Sequence, residues 1–239
     1  MRKDRPVGYQ KWRSLLFLHW DIPAAAIQPL LPPGLALDLF DGRAWVGLVA
    51  FTMRGVRPWW SPPLPGLSHF HELNVRTYVR HESGEPGVWF FSLDAANSVA
   101  VLAARASWGL PYHRASMRLV SDGGLYRYSC RRRWPGPTPA VFGARWREGE
   151  SLAPPAPDSL EHFLVERYHL YVDRGKGRLE SARVHHSPYP LKRALLLDWR
   201  ESMLPAAGLP AASEEPHVLF SPGVDVDIHA LRPLELSGT

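Results

Sequence analysis

A chain of 239 residues with 45% hydrophobic and 21% charged residues can bury a sizeable core, which excludes a disordered chain. Its net charge of +5 and pI near 9.5 come from dispersed arginines, tight only at Arg131 to Arg133. No basic helix or recognised module accompanies them, so nucleic acid is not an expected partner. The lone Cys130 excludes an intramolecular disulfide and fits a reducing cytoplasm, and no uncharged run of about 18 apolar residues exists to span a membrane.

In chain order, residues 1–21 are basic and then briefly apolar without a small-residue cleavage site, so no signal peptide is expected. Trp12 to Trp20 reads as a first strand, and Asp21-Ile22-Pro23 opens a short helix to Leu31 that Pro32-Pro33-Gly34 stops. Leu35 to Phe40 and Ala44 to Phe51 read as a hairpin around Asp41-Gly42, a type I′ signal. Arg57 to Ser68 is dense in proline and tryptophan, and proline there forbids a central strand. It reads as an extended loop whose Trp59 and Trp60 either cover a barrel mouth or pack on the surface.

Phe70 to Arg118 then reads as strand, hairpin, strand, helix, Gly-Leu-Pro and strand. Leu73, Val75, Thr77 and Val79 fall on one face of the first strand; Glu72, Asn74, Arg76 and Tyr78 fall on the other. The next strand, Val88 to Leu93, is apolar on both faces, as expected of a strand covered on both sides. A hairpin partner of such a strand places its polar face toward an internal cavity rather than water. Asp94 or Asn97 can cap the following helix, Gly109 suits its left-handed end, and Pro111 prevents continuation.

Tyr112 to Val120 and Leu125 to Trp134 form a hairpin around Asp122-Gly123-Gly124, and Ala140 to Trp146 is a further strand. Leu152 to Pro157 reads as an internal loop, leaving one domain over residues 1–239. Ser159 to Arg167 reads as a capped helix; His169 to Asp173 and Leu179 to His185 pair across Arg174-Gly175-Lys176-Gly177. Pro190 to about Leu204 reads as helix, and His217 to Ser221 and Val224 to Leu231 close the sheet. Many strands, few helices and no βαβ rhythm point to a mainly β (α+β) fold, an antiparallel barrel with appended helices.

Several segments carry a resemblance over nearly the whole chain. Phe70-His71-Glu72-Leu73-Asn74-Val75-Arg76, Phe90-Phe91-Ser92-Leu93-Asp94-Ala95 and Gly109-Leu110-Pro111-Tyr112-His113-Arg114 resemble the YqjF-like family, a domain of unknown function. So do residues 15–51, 159–171 and the His185-His186-Ser187-Pro188-Tyr189-Pro190-Leu191 segment. That family is grouped with the acetoacetate decarboxylase-like superfamily, which implies a β-barrel or cone around a small-molecule cavity.

The resemblance also implies what is missing. Acetoacetate decarboxylases carry a lysine pair, one member forming the imine, where this chain has Tyr112 and His113. Neither side chain offers the primary amine that an imine requires. The lysines present, Lys3, Lys11, Lys176 and Lys192, have no lysine neighbours. Glu72 matches the decarboxylases' active-site carboxylate. Arg105 matches an arginine there, but flanked by Ala104 and Ala106 it reads as a structural anchor.

Glu72, Tyr112 and His113 are therefore the candidate acid–base residues, and Arg76, Asn74 and Tyr78 the candidate ligand contacts. Arginine can grip a carboxylate, and histidine or glutamate can move a proton. The other reading of this polar face is a buried network that holds barrel register without turnover. His69 and His71 share a strand face, but Glu72 points away from them and no third ligand is indicated, so no metal or cofactor is expected. The expected function is binding of a small organic acid or carbonyl compound, by an enzyme or a sensor, with a homo-oligomer left open.

Overall fold

Among the described residues thirteen strands pair into one sheet that closes on itself twice. The computed structural model describes residues 5–82, 85–136, 139–175 and 178–234. The first strands are β1 (Gly8–Asp21), β2 (Leu35–Leu37), β3 (Trp45–Pro58), β4 (Phe70–His81), β5 (Pro86–Ala95), β6 (Tyr112–Asp122) and β7 (Leu125–Trp134). They continue as β8 (Val141–Ser151), β9 (His169–Asp173), β10 (Leu179–His186), β11 (Lys192–Glu201), β12 (His217–Ile228) and β13 (Arg232–Pro233). The helices are α1 (Ala24–Ile27), α2 (Ser98–Trp108), α3 (Leu160–Val165) and α4 (Met203–Ala206). Among the described residues no helix is long and apolar enough to cross a membrane.

One ring runs β5–β6–β7–β8–β11–β12–β1–β3–β4 and back to β5. The other runs β5–β9–β10–β12 and returns through the same β1, β3 and β4. The shared wall is buried on both faces, so its strands carry apolar residues in near-continuous runs. Along β1, Leu15 and Phe17 belong to one core, while Leu16, Leu18 and Trp20 belong to the other. The larger ring is filled: Tyr128, Phe142, Trp146 and Phe220 are fully buried, Tyr128 meeting the Phe142 ring and Trp146 the Phe220 ring.

The mainly antiparallel β architecture agrees with the sequence, with three local differences. β5 pairs in parallel with both β6 and β9, so β5, α2 and β6 form a βαβ unit. A single such crossover leaves no rhythm in the sequence. The segment read as helix after Pro190 is mostly β11, in which Ala194, Leu196 and Trp199 pack on the core and Leu195 faces solvent. Its leucines and alanine favour helix locally, but β11 pairs along β8, which would otherwise present an open edge. Asp41-Gly42 does turn, with φ of 49° and 76°, yet the only pairing across it is the bridge Phe40 to Arg43. β2 instead pairs with the far end of β4. The hairpin expected around Lys176-Gly177 joins β9 to β10, and those two turn residues lie outside the described ones.

Candidate functional site

The smaller ring is not filled. It encloses a cavity of about 580 Å³, bounded by β1, β3, β4, β5, β9, β10 and β12 and covered by α2 and the loop 59–68. Asn97 builds this cover. Its Oδ1 accepts from the Val99 and Ala100 amides, starting α2, and its Nδ2 donates to the Gly66 and Leu67 carbonyls, tying the loop to the helix. Gly109, with φ of 68°, ends the helix in the left-handed region. Val99, Ala103 and Ser107 line the cavity yet are solvent-exposed, so the opening runs along that edge of α2. Pro62, Leu64 and Leu67 line the facing loop, whereas Trp60 is 71% exposed and not part of the wall.

Strand alternation on β4 carries the polar face inward, as its sequence implies. Glu72 is 2% and Arg76 8% exposed, and both line the cavity. Four residues of strand separate their Cα atoms by about 13 Å, so they address different parts of one space. The walls between them are mostly apolar, including Trp12, Met53, Phe70 and Phe90. The cavity is therefore less polar than the strand pattern suggests, because its other walls come from apolar strand faces.

The Tyr112 hydroxyl donates to Glu72 Oε2 at 2.8 Å. Burial pushes the Glu72 carboxyl up to about 8, the Tyr112 hydrogen bond opposes this, and the nearby Asp94 charge adds to it. Burial and the carboxylate together hold the Tyr112 phenol well above its ordinary range. The result is a buried acid that exchanges its proton near neutral pH, backed by a phenol that stays protonated.

Arg76 donates through one terminal nitrogen to the Leu164 carbonyl at 3.0 Å, on the last turn of α3. Its Nε is buried with no partner among the described residues. No carboxylate pairs with it among them either. The other buried arginines are paired: Arg132 with Asp94 at 2.7 Å and Arg167 with Asp38 at 2.6 Å. Phe17 and Tyr78 place ring centres 5.9 and 5.6 Å from the Arg76 guanidinium carbon, a weaker compensation than a carboxylate.

Three sequence candidates fall outside the cavity. Tyr78 is buried behind the wall, donating to the Leu164 carbonyl at 2.8 Å and meeting His19 Nε2 at 2.7 Å. Gly47 makes room for that pair, since a Cβ there would lie 2.9 Å from the His19 ring. Asn74 shares the strand face but is covered, with Oδ1 buried and unpartnered among the described residues. His113 follows Tyr112 and so points through the other face of the sheet, opposite Asp94 in register, with Nδ1 3.0 Å from the Pro135 carbonyl. Burial and the Arg132 charge lower its pKa, the largest effects on it. The proposed grouping of His113 with Glu72 is thus corrected by pleat alternation alone.

Tyr189, which is not among the sequence candidates, also lines the cavity. Its amide donates to Glu166 Oε1 at 2.9 Å and its ring meets Phe17 edge-on at 5.4 Å. Its Pro188-Tyr189-Pro190 setting, within a segment carrying the family resemblance, is the signal that the sequence offers. Arg105 donates to the Tyr112 carbonyl at 2.8 Å, an anchor for the residue beside Glu72. His71 meets Thr52 Oγ1 at 2.9 Å, and among the described residues no group of three or more His, Cys, Asp or Glu is placed to hold a metal.

Comparison with known proteins places this geometry. A family described as an uncharacterized conserved protein (COG2071) matches residues 9–225. YqjF of Bacillus subtilis (strain 168), itself described as uncharacterized, is 34% identical over 223 residues, covering 93% of this chain and 90% of that one. Among solved structures, acetoacetate decarboxylase from Legionella pneumophila has a TM-score of 0.64 at 15% identity, over 96% of this chain and 87% of that one. The enduracididine biosynthesis enzyme MppR complexed with pyruvate also has a TM-score of 0.64 at 15% identity, over 96% and 91%. At such identities the likeness is one of fold: this chain has the acetoacetate decarboxylase-like fold.

Proposed function

The chain belongs to the family of uncharacterized conserved proteins COG2071, and from that premise we propose that its cavity binds an organic acid and moves a proton on it without forming an imine. The observation that carries this reading is Arg76, a buried cation facing open volume with no carboxylate partner among the described residues. A bound carboxylate supplies the missing charge, and arginine suits it through parallel hydrogen bonds. Glu72, titrating near neutral pH beside Tyr112, is suited to take and return a proton. Pyruvate and acetoacetate, the compounds named with the structural neighbours, are both small oxo acids.

Among the described residues no lysine is placed to supply the amine of an imine. Lys11 and Lys192, the described lysines, reach Asp225 and Glu148, and neither lines the cavity. The test combines binding and exchange. Small oxo and carboxylic acids are screened by thermal shift against the wild type and Arg76→Met, since a ligand of the native state raises apparent stability. Ligands found this way are followed for exchange of their carbon-bound protons in heavy water, including those remote from the carboxylate, since Glu72 and Arg76 address different parts of the cavity. The expected result is a shift that Arg76→Met abolishes and an exchange that Glu72→Gln abolishes while binding persists. Binding without exchange makes the protein a ligand sensor. Borohydride trapping of a lysine adduct in the presence of an oxo acid overturns the imine-free chemistry.

A further inference from the structure

We propose that the natural ligand is a carboxylate with an extended apolar body, bound head-in: the carboxylate on Arg76, the body leaving between α2 and the loop 59–68. This narrows the acid-binding reading above and rests on it. Three observations beyond the arginine support it.

The first is volume. About 580 Å³ lies in the range that takes a drug-sized molecule, far more than a two- or three-carbon acid fills. The second is why that volume is open. Between Val99 and Trp108, which also line the cavity, Ala100, Ala103, Ala104 and Ser107 recur at helical spacing on the α2 face that covers it. In the filled ring the comparable interior holds Trp146 and Tyr128. Small side chains on the covering helix leave a channel that an apolar chain can occupy.

The third is the rim. Val99, Leu64 and Leu67 are 56%, 49% and 39% exposed at the opening, an apolar margin that water covers poorly. A body running outward from Arg76 buries these side chains along with itself. The reverse orientation would leave the Arg76 guanidinium uncompensated, whereas Arg57, the cation beside the loop 59–68, is already engaged by the Ser61 carbonyl and the Tyr9 ring.

The test is a series of straight-chain carboxylates from acetate to tetradecanoate, titrated calorimetrically into the full-length wild-type protein. Each methylene taken into the channel is expected to tighten binding about fourfold, until the chain passes the rim and affinity levels off. Ala103→Trp, at an exposed helix position, is expected to move that plateau to shorter chains. The corresponding alcohols are expected to bind more weakly than the acids in the wild type, and Arg76→Met is expected to remove that difference. Affinity that is flat or falling with chain length overturns the extended-body proposal and leaves the acid-binding reading standing if short acids still bind. No binding by any acid in the series, together with none in the oxo-acid screen, overturns both. A plateau unmoved by Ala103→Trp overturns the route along α2.

Discussion

Tyr112 donates a 2.8 Å hydrogen bond to Oε2 of Glu72, so the phenol at the start of β6 is committed to a buried carboxyl on β4. The bond selectively stabilises the ionised carboxyl and holds its pKa below what burial alone would set. Tyr112→Phe is therefore expected to raise the Glu72 titration midpoint above about 8 and to lower stability by about 1 kcal/mol. Carboxyl-carbon NMR titration of the variant checks the first, and urea unfolding the second. A midpoint that stays put or falls rules out this role for the phenol.

The pH dependence of stability has two limbs of opposite origin. Between the ordinary 4.5 and the raised value of about 8, folded Glu72 holds a proton that the unfolded chain has released. Stability thus falls as pH rises through that window, by up to about 1.4 kcal/mol per pH unit. Burial lowers the pKa of His19, His71, His169, His186 and His217 below 6.5, so in acid the unfolded chain takes up protons first and stability falls as pH drops. The maximum is expected near neutral pH, between the two limbs, where the protons taken up by the unfolded histidines balance the one held by folded Glu72. Glu72→Gln should flatten the alkaline limb and leave the acid limb, as read by urea midpoints across the range.

Arg76→Met is expected to stabilise the ligand-free protein. The wild-type guanidinium is desolvated without a carboxylate among the described residues, and methionine of similar length removes that penalty. A gain of about 1–3 kcal/mol in thermal unfolding, with loss of acid binding, would mark the arginine as retained for its ligand. A loss of stability instead would assign it to holding α3 through the Leu164 carbonyl.

Asp94 and Arg132 form a two-point pair, 2.9 Å from Nε and 2.7 Å from the terminal nitrogen, with both residues buried. Asp94→Ala strands the arginine and is expected to cost about 3–5 kcal/mol. Asp94→Leu combined with Arg132→Met should recover most of it. Because the Asp94 charge also raises the Glu72 pKa, the double variant should titrate Glu72 lower than the wild type. Unfolding curves and carboxyl titration of the two variants separate the effects.

Local rules made much of this protein legible before any coordinates. A period of two along residues 72–79 is enough to put Glu72 and Arg76 on one face with Leu73 and Val75 on the other, and both faces are buried as a doubly covered neighbour implied. Asn97 and Gly109 bound α2 through caps that depend only on the residues beside them. Depth and closure are different in kind. Alternation says that Asn74 and Tyr78 share a face with Glu72, but which of them meets open volume depends on what arrives from β1, β3 and α3, far away in sequence. The same holds for β11, whose leucines became strand beside β8, and for β12 and β5, which each close two rings at once. Sequence sets the direction of a side chain from its own strand; whether that direction ends in a packed core or an empty one is decided by non-local pairing.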